Sequence, residues 1–233
     1  MRRIARITVT AAIPLAALAT AARAQLAGIP VYYNPQGGTG VGIAANVGFP
    51  NNDAGSGTAY GVAGSLGTGP VTLTAMIGAW KATSWPGVSS TYAWATAQTS
   101  FGGSISYRLF GGGILPVAVA VQAGYGMIKS PTVLANTGYT TTTIPVGVGI
   151  SFDPPLFPLK PWIAPRMEFT SYSSGRPSNT SSFRVSGGVN FNLLLGLGVH
   201  AAADWGQQKG NGTTRTPTIL SLGAHFNFHV PMM

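Results

Sequence analysis

The amino-acid sequence predicts an all-β chain: an antiparallel up-and-down transmembrane β-barrel of ten strands, with eight or twelve as the alternatives, preceded by a cleavable signal peptide. Three observations predict it. Apolar and polar residues alternate with a period of two in about ten segments from Thr39 onward. Only 7% of the 233 residues are charged, whereas a soluble domain carries about a quarter and needs that charge to solvate its surface. The connections alternate between tight Gly/Pro/Leu-rich turns and longer polar loops, as in a barrel with turns on one side of a bilayer and loops on the other.

The chain opens with MRRIAR, a basic start. The short apolar run ITVTAAIPLAALATAA follows, broken by Pro14, and then the small-residue site ARA before Gln25. These are the parts of a secretory signal peptide over residues 1–24, cleaved after Ala24. Removing Arg2, Arg3, Arg6 and Arg23 takes the 13 basic residues to nine against 4 acidic ones, so the formal charge falls from +9 to +5. The rest form no Lys/Arg run, which argues against nucleic acid as a partner. Beyond the leader there is no run of about twenty apolar residues, which excludes a helical membrane protein. Cysteine is absent, so disulfides, thiol chemistry and Cys-based zinc sites are excluded too.

Residues 25–38 are read as an N-terminal periplasmic or lumenal segment: a loose tail, a tail tucked into the lumen, or an extra strand. The barrel is expected over 39–230. Its first strand sets Val41, Ile43, Ala45, Val47 and Phe49 against Gly42, Ala44, Asn46 and Gly48. Tyr60, Val62 and Leu66 then oppose Gly61, Ala63 and Ser65, and Val71, Leu73, Ala75 and Ile77 follow at once. In the fourth and fifth strands Phe101, Ile105 and Tyr107 face away from Ser104, Ser106 and Arg108, and Val117, Val119 and Val121 from Ala118, Ala120 and Gln122. The sixth sets Ile144, Val146, Val148 and Ile150 against Pro145, Gly147, Gly149 and Ser151. Ile163, Met167 and Phe169 face away from Arg166 and Glu168; Phe183, Val185 and Phe191 from Arg184, Ser186, Asn190 and Asn192. The ninth strand, starting at Leu195, separates Leu197, Val199 and Trp205 from His200 and Asp204. The tenth separates Leu220, Leu222, Phe226 and Phe228 from Ser221, His225, Asn227 and His229. Nine to twelve residues of alternation suit a tilted strand that crosses a bilayer.

A soluble β-sandwich is the competing architecture. Its polar faces would meet water and carry Lys, Glu, Asp and Thr in number. Here those faces are mostly Gly, Ala, Ser and Asn, which suits a confined interior. Aromatic residues also gather at two levels. Phe49, Tyr60, Phe169, Phe183 and Trp205 lie next to the polar loops, and Tyr107, Phe152, Trp162, Phe191, Phe226 and Phe228 next to the turns. Two such belts mark the two interfaces of a lipid-facing surface.

With its leader, alternating strands, polar loops and aromatic last strand, the chain resembles small bacterial outer-membrane β-barrels of the outer membrane protein A and opacity type. The resemblance covers roughly residues 39–230 and rests on architecture, not on a motif. It implies the bacterial outer membrane as location, lipid as surroundings, and insertion by a barrel-assembly machinery that reads the final strand. HFNFHV keeps the aromatic alternation of such a strand, but Pro231, Met232 and Met233 replace the usual terminal aromatic.

The lumen is expected to be uneven. Arg166, Glu168, Arg184 and Asp204 form an expected charge network, since charges in a low-dielectric interior are costly unless paired. Arg108, Gln98, Asn190, Asn192, His200, His225, Asn227 and His229 are the further polar residues expected there. A turn centred on Leu194 would pair Arg184 with Asp204 and Gly188 with His200, keeping both inward. The network either fills a narrow barrel or forms a constriction in a small pore. His200, Asp204 and Ser186 share the interior, but no nucleophile motif accompanies them, so no enzyme activity is expected. No cofactor is expected, and the histidines show no metal-ligand spacing. The expected function is a structural or surface barrel, or a narrow passive pore for small polar solutes. An adhesin-like barrel acting through its outer loops is the alternative.

Overall fold

The computed structural model describes residues 26–30, 40–84, 96–112, 115–129, 140–154, 157–173, 180–210 and 213–228. The expected leader, residues 31–38, most of the polar connections at 83–92, 129–140 and 173–182, and His229 lie outside them. The described strands are β1 (Gly40–Pro50), β2 (Gly57–Thr68), β3 (Val71–Ala82), β4 (Gln98–Gly112), β5 (Leu115–Lys129), β6 (Thr140–Phe152), β7 (Leu159–Tyr172), β8 (Thr180–Asn192), β9 (Leu197–Gly210), β10 (Thr213–Arg215) and β11 (Thr218–Phe228).

Consecutive wall strands pair antiparallel, and β1 pairs with both β2 and β11, so the sheet closes as a ten-stranded barrel. Closure gives the wall's backbone groups ladder partners, which a bilayer demands. β10 stands apart from the wall. It extends β9 as a hairpin, pairing Thr213 with Gly210 and Arg215 with Gln208, so the polar connection between β9 and β11 is partly strand.

The two faces separate as the alternation requires. Ile43, Val62, Ile77 and Leu222 point outward and are 51–59% exposed, whereas Ala44, Ala63, Ala118 and Ala164 point inward at 5% or less. The outward aliphatics make a continuous apolar belt too large for a soluble surface, with Phe49, Tyr60, Phe169, Phe183 and Trp205 at one rim and Tyr107, Phe152 and Phe228 at the other. Among the described wall residues, charge appears on this face at the outer ends of β3 and β5, as Lys81 and Lys129. Trp162 departs from the expected belt. It shares the parity of Ala164 and Arg166, points into the lumen and is 5% exposed.

Local chemistry explains the irregularities. The β5–β6 ladder breaks between Ala123↔Val146 and Gly126↔Thr143, beside Pro145, and the β6–β7 ladder between Gly147↔Arg166 and Ile150↔Ile163, beside Pro165. Proline has no N–H to give a ladder. In the tight β4–β5 connection, Gly111 has φ +78 and a Cβ there would collide with the Val117 carbonyl, so glycine is required. At the β8–β9 turn, Leu195 takes φ 60 and Leu193 N–H donates to the Leu197 carbonyl at 2.7 Å. The turn is therefore centred on Leu195, one residue beyond the expected Leu194. Cross-strand partners shift by two: Ser186 faces Asp204, Arg184 faces Gly206 and Asn190 faces His200. An even shift leaves every side chain on its expected face.

The outer rim carries a clamp across the β1–β11 seam. Asn51 accepts from Thr218 N–H at 3.0 Å and Ala54 N–H at 2.9 Å, and donates to the Thr216 carbonyl at 3.1 Å. Asp53 accepts from Thr216 N–H at 2.9 Å.

This two-faced wall makes a direct prediction. Leu222, opposite Val47 and Ala201, faces lipid at mid-height, so Leu222→Arg should cost about 2–4 kcal/mol in urea unfolding from lipid vesicles. Gly64 also faces outward, with nothing within 4 Å of an added Cβ, so Gly64→Leu should change stability by less than about 0.5 kcal/mol.

Candidate functional site in the barrel lumen

The inward column of β7 brings Arg166 and Glu168 to one height, β8 brings Arg184 and Ser186, and β9 brings Asp204. Arg166 and Arg184 are direct cross-strand partners, a like-charge pairing that is unfavourable by itself. Asp204 resolves it. Its Oδ2 accepts from Arg166 Nη2 and, at 2.8 Å, from the Ser186 hydroxyl, while its Oδ1 accepts from Arg184 Nε at 2.8 Å and lies 2.7 Å from Arg184 Nη2. Glu168 Oε2 completes the cluster at 3.5 Å from Arg166 and 3.7 Å from Arg184. Asp204 and Ser186 are fully buried, and Arg166, Arg184 and Glu168 are 2–8% exposed. Two guanidinium groups meet two carboxylates, so the cluster is neutral overall. Neutrality is what permits four ionised groups in a low-dielectric interior.

The structure thus brings together the four charged residues picked out from the sequence and adds Ser186. It does not assemble Ser186 with His200. The Ser186 hydroxyl is committed to Asp204 and receives a hydrogen bond from Arg166. His200 turns to β11 and β1 instead.

His200 and His225 form a second polar group nearer the inner end. Their Nδ1 atoms are 3.2 Å apart, His200 Nε2 is 2.6 Å from Asn46 Oδ1, and His225 Nε2 is 3.2 Å from Asn192 Oδ1. The rings stack with centroids 5.5 Å apart. If both amide oxygens accept, the rings need three N–H groups between them, one more than two neutral imidazoles carry; turning one amide restores a neutral pair.

The other predicted polar residues are dispersed. Gln98 donates to the Thr96 carbonyl at 3.3 Å near the outer rim. Asn190 is buried beside this region, Asn227 lies over Gly42, and Arg108 packs over Gly112 at the inner mouth. Lys160 pairs with Asp153 at 2.8 Å at that same end. Among the described residues, no group of three or more His, Cys, Asp and Glu is placed to hold a metal ion.

Two apolar features complete the interior. Trp162 packs with Ala120, Ala164 and Ala202, laying its indole across the inner half of the lumen. Leu26 and Ile29, from the segment before β1, are 2% and 3% exposed and pack on Ala59, Trp80, Ala82 and Ile128 in the outer half. The lumenal placement, one of three weighed for this segment, is where residues 26–30 lie. Inward glycines at 48, 61 and 78 were the available signal.

Comparison with known proteins adds the architecture. The chain is similar to the β domain of the Bordetella autotransporter Brka, with a TM-score of 0.51 at 11% identity, over 82% of this chain and 100% of that one. The chain has the fold of a bacterial outer-membrane β-barrel. The barrel is also similar to the N-terminal β-barrel domain of Pseudomonas aeruginosa OprF, at 14% identity and a TM-score of 0.39, covering 83% and 100% of the two chains. Against the outer membrane protease OmpT of Escherichia coli the values are 10%, 0.45, 85% and 99%. No family model and no curated protein matches the chain.

The geometry of the cluster makes a quantitative prediction. Asp204→Ala leaves two buried guanidinium groups face to face and should cost about 3–5 kcal/mol. Replacing Arg166 and Asp204 together with Leu should recover most of that loss. Urea unfolding of the refolded barrel in vesicles measures both.

Proposed function

We propose that this chain is an integral outer-membrane barrel that serves as a closed structural scaffold, its lumen filled rather than open and its outer loops carried at the cell surface. Lipid surrounds it, and the barrel-assembly machinery inserts it by way of β11. One observation carries the proposal: the lumen is occupied at successive heights. Leu26 and Ile29 fill the outer half beside β2 and β3, the neutral charge cluster spans β7 to β9, and Trp162 with the His200–His225 pair takes the inner half. Barrels of eight to ten strands leave little room beyond their own side chains.

The experiment is single-channel recording in planar bilayers of the refolded full chain. It should give no conductance steps while its gel mobility shifts on boiling, as a folded barrel's does. Steady conductance from the folded chain would overturn the closed reading. Recovery from the outer-membrane fraction of a Gram-negative host tests the location separately.

A further inference from the structure

We propose that Leu26–Pro30 is a built-in plug, and that the wall it covers becomes a conduit for small uncharged polar solutes when the plug is withdrawn. This goes beyond the closed-barrel reading and rests on it, because the full chain is closed only with the segment in place.

The wall is shaped to this segment. A Cβ at Gly61 would collide with Leu26 and Ile29, and one at Gly48 with the Gly28 carbonyl. Gly28 itself sits so near Ala59 that an added Cβ would come within 2.8 Å of it. Glycines at these inward positions make a recess, and Leu26 and Ile29 fill it to near-complete burial.

The attachment is of a releasable kind. The segment takes no place in the sheet ladder, and its Ile29 N–H donates within the segment to the Leu26 carbonyl at 3.3 Å. Contact of apolar side chains with the recess holds it, so its departure leaves the ladder intact.

Space lies along the same side of the lumen. Beside the plug, a cavity of about 190 Å³ is bounded by Ala27 and Gly28 on one side and by Thr143, Glu168 and Arg184 on the other. Below it, a water-sized void of about 10 Å³ is lined by Ala44, Ala63, Ser65 and Thr74 on one side and by His225 and Asn227 on the other. Trp162 and the histidine pair are anchored on β7, β9 and β11, which leaves β2 to β4 lined mainly by small side chains below Met76 and Trp80 of β3. A lane bordered by Gly, Ala, Ser and Thr and by a neutral ion cluster offers hydrogen bonds without net charge. That suits uncharged polar solutes.

Two variants test this, refolded into vesicles beside the mature full chain and each checked for the mobility shift of a folded barrel. One lacks residues 25–38. The other, Leu26→Asp with Ile29→Asp, keeps the chain length but places two carboxylates in an apolar recess, which should expel the segment. Both should gain conductance steps and glycerol-driven vesicle swelling that the full chain lacks, and a synthetic peptide of residues 25–38 should abolish the gain for the deletion variant. If both folded variants stay as silent as the full chain, the plug is overturned and the closed reading stands. If the full chain conducts as well as the variants, both are overturned.

Discussion

The interior depends on one carboxylate. Arg166 and Arg184 sit directly opposite each other on β7 and β8, an arrangement neither strand could hold without an anion between them. Asp204, from β9, supplies it with both oxygens and takes the Ser186 hydroxyl as well. Three consecutive strands are thereby locked in register by a contact independent of the backbone ladder. The same contact fixes the height of the inward column of β7, where fully buried Ala164 separates Arg166 from Trp162. The position of the indole in the inner half follows from the position of the guanidinium in the outer half.

The lumen divides by side-chain size. β7 to β9 and β11 bring bulk and polarity, and these groups satisfy one another: ions with ions, imidazoles with amides. β1 to β3 bring mainly glycine and alanine inward, together with Trp80 near the outer end. A wall so thin leaves a space that the barrel cannot fill from its own strands. The chain fills it from outside the sheet, with two aliphatic side chains that precede β1. The lumen is therefore filled in two ways: by an ionic cluster on one side and by an apolar insert on the other.

Much of this was legible in the sequence, because a period of two assigns faces without regard to register. The inward placement of Arg166, Glu168, Arg184, Asp204, His200 and His225 follows from parity, and the ten-strand count follows from the number of alternating segments. Register was less legible. Placing the β8–β9 turn requires knowing that Leu195 adopts a left-handed conformation, which a run of three leucines does not announce. Trp162 was misassigned to the lipid face because its nearness to a turn outweighed its parity with Arg166. Contacts across the lumen leave no periodic trace at all. Ser186 joins the charge cluster, and Leu26 meets Gly61, only once the wall has curved.

The seam between β1 and β11 has a consequence for the order of assembly. The first strand waits for the last: Val41 to Pro50 meet their partners only when Ile219 to Phe228 arrive, and the Asn51–Thr218 clamp then fastens the join from above. A sheet not yet closed at this seam would leave the recess open at its side, where Leu26 and Ile29 could be laid in laterally. Afterwards the wall is continuous and the only entrances are its two mouths. However the insert was seated, its way out of the closed wall runs through a mouth.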